Sequence, residues 1–278
     1  MDSNSLSYSL DFIACSGRIL NIEQRTALQT SMLILKKSYN FKRVMFWGKL
    51  LGIKQDYFIA QGRSEDELKN RTYLYSFNCM DWLLLPAVTE SMIEEVTKTA
   101  KGHFIGDPSY VYEQNLYFPI ETEEEAEINV VSLTRVSEEN RLAVTIQQID
   151  EEVSVVPRGA FIRTPLGLVH VNRSFEGLSE SEARKLDNFL HFREPKRANT
   201  LYLERMGDWC PAIDFLDVLS DDIPKGSWSL QFECASRVCV LRSLLWFGLT
   251  FYHVPNTPQH GYIYIGNGLK NRDLPFML

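Results

Sequence analysis

The sequence predicts an α+β fold: a helical amino-terminal segment, then a mostly antiparallel β-sheet with interspersed helices, closed by a carboxy-terminal β-meander. Three observations carry this. Residues 1–40 have helical spacing and capping signals. From residue 43 onward, β-prone runs follow one another through short turns, without the strand–helix–strand alternation that builds a parallel sheet. From residue 227 onward strands resume, opening with SWSLQFE, in which Trp228, Leu230 and Phe232 alternate with Ser229, Gln231 and Glu233. The 278 residues are read as one domain in four stretches: helical 1–40, mixed 41–175, helical or irregular 176–226 and meander 227–278.

The elements follow in order. SLSYSLDFIACSG is a short amphipathic helix ending near Gly17. In NIEQRTALQTSMLILKKSYN, Asn21 is an N-cap with Gln24 three residues on, and Leu28, Met32 and Leu35 form one buried stripe. Lys36 and Lys37 favour the negative end of that helix's dipole. A hairpin covers residues 43–62, RTYLYSFN and DWLLLP are extended, and Thr89 opens the helix TESMIEEVTKTA. GDPSY is a turn, and ETEEEAE, residues 121–127, reads as a solvated loop, with partner steering or cation binding as the alternatives. EINVVSLT is a strand, and SEENRLAVTIQQID is a helix with Leu142, Ile146 and Ile149 on one face. Pro157 and Pro165 break VSVVPRGAFIRTPLGLVHV into short strands. LSESEARKLDNFLHF reads as the strongest helix of the chain, capped by Ser179 and Glu182, with Ala183, Leu186 and Leu190 inward. Residues 194–226, with Pro195, Pro211 and Pro224, are irregular with short helices. SWSLQFE, VCVLRSLLW, LTFYH and GYIYIG are then successive strands, with Trp228, Leu230 and Phe232 on a buried face and a pivot at Gly248.

Composition narrows the function. A net charge of −7 with no basic run lacks the electrostatic footprint of nucleic-acid binding and disfavours anionic membranes. The amino terminus carries Asp2 and no continuous apolar core, so no signal peptide is expected. Cys15, Cys79, Cys210, Cys234 and Cys239 are an odd, scattered set, which points to free thiols in a reducing, intracellular compartment. The most apolar run, VLRSLLWFGLTFYHVPN, has an uncharged core only from Ser243 to Tyr252, about half of the ~20 residues a span needs. Aromatic residues make up 12% of the chain, which suits either a strand-rich core or a surface for protein partners.

Motifs for chemistry are thin, and the expectation is no catalytic, cofactor or metal site. GNGLKN lacks the third glycine and the strand-to-helix context of a dinucleotide loop. Cys234 and Cys239 with His253 lack the second ligand pair of a zinc site. His103, His170, His191, His253 and His260 occur singly, and no serine or thiol nucleophile motif is present. Residues alone support a soluble intracellular protein, with binding or scaffolding ahead of catalysis.

Longer stretches add a resemblance. RVMFWGKLLGIKQDYFIAQG, FIGDPSYVYE, VPRGAFIRTP, VNRSFEGLSESEARKL, HFREP, DIPKGSW, VLRSLLWFGLTFYH and KNRDLPFML closely resemble, in order and end to end, the radial spoke head proteins of ciliary and flagellar axonemes. The hairpin and the carboxy-terminal strands also look like radial spoke head proteins 4 and 6. The resemblance implies a non-catalytic structural subunit of the spoke head, placed in the cytoskeleton of motile cilia. It further implies a need for this subunit in head assembly, central pair stability and coordinated beating, through signals passed between the central pair and the dynein arms. Homologues of radial spoke head proteins 4 and 6 and other spoke subunits are the implied partners, and a cytoplasmic assembly factor is the alternative. Tubulin tails are acidic, so direct microtubule binding by a chain at −7 is not expected. Trp47, Tyr57, Trp246, Phe247 and Tyr252 are the candidate partner-interface residues, with this chain's own core as the competing placement. Phe247 stands where the family pattern has proline, which leaves the local turn geometry open.

Overall fold

The computed structural model describes residues 1, 5–13, 19–118, 129–196, 210–235 and 237–277, with backbone only at 7, 115–118 and 129–133. The acidic segment 121–127, Cys15 and Gly17 lie outside the described residues. The chain opens with α1 (Leu6–Ile13) and α2 (Ile22–Ser38). Asn21 caps α2 in a reciprocal box with Gln24, at 2.8 and 3.2 Å. Leu28, Met32 and Leu35 are its buried apolar stripe, contributing about 1.5–3 kcal/mol each.

The sheet has eight strands: β1 (Arg43–Leu50), β2 (Tyr57–Arg63), β3 (Thr72–Ser76), β4 (Leu83–Leu84), then β11 (Trp228–Glu233), β12 (Val238–Ser243), β13 (Leu249–His253) and β14 (His260–Gly266). Their order is β11-β12-β13-β14-β1-β2-β3-β4. The predicted hairpin and meander are therefore halves of one sheet, joined by the parallel pair β1–β14. Every other neighbouring pair in this sheet is antiparallel. A bulge between Phe46 and Gly48 sits at that join. A Cβ on Gly48 would lie 2.1 Å from the Tyr264 carbonyl oxygen, so only glycine lets the two strands close there.

Between the halves of the sheet run α3 (Glu90–Thr99), capped by Thr89, the hairpin β5 (Val111–Phe118) with β6 (Asn129–Ser137), and α4 (Glu138–Val153). The short strands β7 (Val155–Pro157), β8 (Phe161–Arg163), β9 (Val169–Val171) and β10 (Phe189–His191) follow, with α5 (Glu180–Ala183) before β10, and α6 (Leu274–Met277) closes the described chain. Period-two alternation sends Val44, Phe46, Val240 and Ile263 to the face covered by α1 and α2. It sends Tyr57, Ile59, Leu241, Phe251, Tyr262 and Tyr264 to the face covered by α4. The run 240–256 is thus the end of β12, a turn and β13. No helix among the described residues is long and apolar enough to cross a membrane.

One predicted element is corrected. Residues 178–192 do not form a long helix: α5 is a single turn, a 3-10 turn follows at Leu186–Asn188, and residues 189–191 are a strand. The Ser179–Glu182 capping box forms as expected. The chain then leaves the helix at Lys185, with φ −108° and ψ 126°, and Asn188 Nδ2 donates to the Glu182 carbonyl at 2.9 Å. Pairing of β10 with β7 sends Phe189 into the main core and Leu190 into a second cluster around Phe161 and Phe192. That burial on two sides outweighs local helix propensity.

Candidate functional site

The densest constellation of polar groups lies where α4 crosses the sheet, and Asp150 is its centre. Its side chain is 2% exposed. Oδ1 accepts from Trp47 Nε1 at 3.0 Å and from the Tyr262 hydroxyl at 2.7 Å. Oδ2 accepts from the Tyr73 hydroxyl at 2.8 Å, from Gln61 Nε2 at 3.1 Å and from the Arg71 guanidinium. Arg71 also donates to the Phe192 carbonyl at 2.6 Å and stacks on the Phe192 ring. Burial pushes the Asp150 carboxyl up, but the Arg71 charge and the bonds from Tyr262 and Tyr73 outweigh it and hold it below the usual range.

Glu138 repeats the arrangement at the other end of α4. Oε1 accepts from the Tyr57 hydroxyl at 2.7 Å and from the backbone N–H groups of Gly106 and Asp107 at 2.6 and 3.0 Å. Oε2 accepts from the Tyr112 hydroxyl at 2.6 Å and the Ile105 N–H at 2.8 Å. Burial again raises its carboxyl, and the bonds from Tyr112, Ile105 and Tyr57 prevail and lower it. Between and beside these two, Glu139 accepts from Tyr75 at 3.1 Å and Glu152 from Trp246 Nε1 at 2.8 Å. The donors come from β1, β2, β3, β5, β14, the β12–β13 connection, Arg71 just before β3 and the backbone of residues 105–107, and all their acceptors are carboxylates of one helix.

Chemically this arrangement holds rather than reacts. Each of the two buried carboxylates already accepts five hydrogen bonds, and burial pushes Tyr57 upward and Tyr75 up to about 12, so these hydroxyls stay protonated donors. Cys239 and His253 are cross-strand partners, yet neither is poised for catalysis. Burial raises the Cys239 thiol to about 12, and its Sγ donates to the Ala183 carbonyl at 3.4 Å. His253 is spanned by the Leu178 N–H and the Gln259 carbonyl, each at 3.1 Å, and burial lowers its basicity. Among the described residues, no group of three or more His, Cys, Asp or Glu side chains could hold a metal ion, and Cys79, Cys210, Cys234 and Cys239 are free.

The five candidate interface residues separate cleanly. Trp47, Tyr57, Trp246 and Tyr252 are interior side chains of this chain, not surface ones. The first three serve the α4 carboxylates, and the Tyr252 hydroxyl donates to Ser9 Oγ at 2.7 Å beneath α1. Amphipathic aromatics pack their rings inward and find a polar partner there. Phe247 alone reaches the surface, at 44% exposure. It occupies the second position of a β-turn closed by Leu249 N–H donating to the Trp246 carbonyl at 3.2 Å. Gly248 takes the third position with φ +117°, where a positive φ favours glycine. The second position accepts proline or an L-residue such as phenylalanine, so Phe247 keeps the turn and adds a ring to the surface. Asn271 ties α6 to this connection, through the Leu244 and Leu245 carbonyls at 3.0 and 2.8 Å. The turn of α6 itself carries Phe276, 89% exposed, and exposed Met277. Apolar groups grouped on a surface mark contact sites more often than scattered ones do.

Sequence reasoning missed Asp150, Glu138 and Arg71. A signal was present: Glu138 and Asp150 each lie four residues from an apolar stripe position, at Leu142 and Ile146, and a carboxylate on such a stripe is buried with donors around it.

Comparison with known proteins completes the description. The family described as radial spokehead-like protein matches residues 3–158. The chain is 59% identical to the Danio rerio radial spoke head protein 9 homolog over 281 aligned positions, covering all of both chains. It is 50% identical to the Homo sapiens protein of the same name and 46% identical to that of Xenopus tropicalis, again over all of both chains.

Proposed function

Since the chain belongs to the radial spokehead-like protein family, we propose that it is a non-catalytic structural subunit of the radial spoke head in motile cilia and flagella. The observation that carries this reading is the end-to-end likeness to proteins named radial spoke head protein 9 homolog in fish, human and frog. The buried carboxylates suit a structural role, because Asp150 and Glu138 each accept five hydrogen bonds that fix α4 against its surroundings. In this reading the whole chain, 1–278, is one head domain. The family match stops at residue 158, but β1 within it pairs with β14 near the other end of the chain.

The subunit is needed for head assembly, central pair stability and coordinated beating, by passing mechanical signals between the central pair and the dynein arms. Its partners are homologues of radial spoke head proteins 4 and 6 and other spoke subunits. It reaches the microtubule through them, because a chain at −7 is repelled by acidic tubulin tails. Deletion in a ciliated cell, with salt-extracted axonemes probed for the protein, tests the reading. The expected result is retention with the axoneme, co-purification with head subunits and uncoordinated beating in the null. Normal beating with intact heads would overturn it. Presence in the cell body alone would instead identify a cytoplasmic assembly factor.

A further inference from the structure

The cleft between α3, α4 and residues 268–272 encloses about 390 Å³ and has a charge sign opposite to that of the chain. Lys101, Arg141, Lys270 and Arg272 line it against one carboxylate, Glu152. Four cations less one anion give a lining of +3 in a chain of −7. Glu152 is already occupied, by Lys270 Nζ at 2.7 Å and by Trp246 Nε1 at 2.8 Å. Arg141 points its guanidinium at neutral acceptors, the Gly102 and His103 carbonyls at 2.5 and 3.3 Å and the Tyr112 hydroxyl at 2.7 Å. The acid beyond Tyr112 is Glu138, which is saturated. Lys101 and Arg272 have no carboxylate partner among the described residues.

The floor is polar as well. Thr145 and Gln148 lie on α4 between Arg141 and Glu152, at spacings of four, three and four residues that place all of them on one helix face. Trp246 forms part of the wall. Unpaired cations in a concave site, with hydroxyl and amide groups in the same lining, match a chain of carboxylates.

We infer that this cleft docks an acidic peptide segment of a neighbouring protein, its carboxylates meeting Lys101 and Arg272. The inference rests on the spoke-head reading only for the partner's identity. Its test uses the isolated full chain, so failure here leaves that reading standing.

The probe is a short fluorescein-labelled peptide of glutamates, followed by anisotropy. The expected result is saturable binding that weakens as salt is raised. The double variant Lys101→Glu with Arg272→Glu, shown folded by circular dichroism, should bind roughly tenfold more weakly. Equal binding by the double variant would overturn the proposal. So would equal binding of a glutamine analogue, or tighter binding of a single-stranded oligonucleotide.

Discussion

The two faces of the eight-stranded sheet are held by different physics. Toward α1 and α2, residues such as Leu6, Leu10, Leu28 and Met32 meet Phe46, Val240 and Ile263 by apolar contact. That attraction scales with area and has little direction. Toward α4, tyrosine and tryptophan donors on the sheet point at Glu138, Glu139, Asp150 and Glu152 over distances near 3 Å. Such bonds weaken steeply with misalignment, so they fix both the rotation and the axial position of the helix. The contrast teaches where the aromatic richness of this chain goes. Seven of the aromatic side chains, Trp47, Tyr57, Tyr73, Tyr75, Tyr112, Trp246 and Tyr262, donate to carboxylates of one helix, whereas among the described residues Tyr8, Tyr39, Tyr110, Phe247 and Phe276 face outward.

The comparison breaks most sharply at its centre. Asp150→Ala leaves Arg71 buried without a carboxylate and strands four further donors. We expect a loss of about 3–5 kcal/mol in urea unfolding, the cost of removing one partner from a buried ion pair. On the opposite face, Met32→Ala deletes a fully buried side chain and should cost about 2–5 kcal/mol. The two variants differ in what pH does to them.

Folded Asp150 and Glu138 are held below their usual carboxyl range. Their contribution is therefore complete above the unfolded values of about 4 and is lost as pH falls through the lower folded values. His253 has the opposite ionisation but the same direction. Its folded basicity is lowered, so below about 6.5 the unfolded chain takes up a proton that the folded chain resists. Wild-type stability should therefore fall on acidification in two stages, first from His253 and then from the carboxylates. Asp150→Asn should flatten the second stage, whereas Met32→Ala should shift the whole curve down without changing its shape. Urea midpoints across the pH range check this.

The smallest effect lies at the exposed turn. Phe247→Pro suits the second position of its turn and should stabilise by about 0.4–1 kcal/mol through the unfolded state. Phe247→Ala should change stability by less than about 0.5 kcal/mol. A fall in melting temperature with the proline variant would show that the turn assignment is wrong.

Much of this organisation was legible in the sequence because it is local. The Asn21–Gln24 and Ser179–Glu182 boxes, the α2 stripe and the alternation in β11 to β14 each depend on residues a few positions apart. The parallel join of β1 to β14 was not legible, since pairing across the length of the chain leaves no local pattern. The helix expected at 178–192 failed because Phe189 and Leu190 answer to two different cores. The five proposed interface aromatics were chosen by residue type, which is shared by cores and interfaces alike. Only the placement of carboxylates opposite Trp47, Tyr57 and Trp246 shows that these three belong inside.

Native-state hydrogen exchange on the wild type and Asp150→Asn compares the two faces most directly. If α4 is positioned by its carboxylates, the variant should lose protection in 138–153 by a larger factor than in 22–38. Equal losses in both helices, or unchanged protection in α4, would contradict the account.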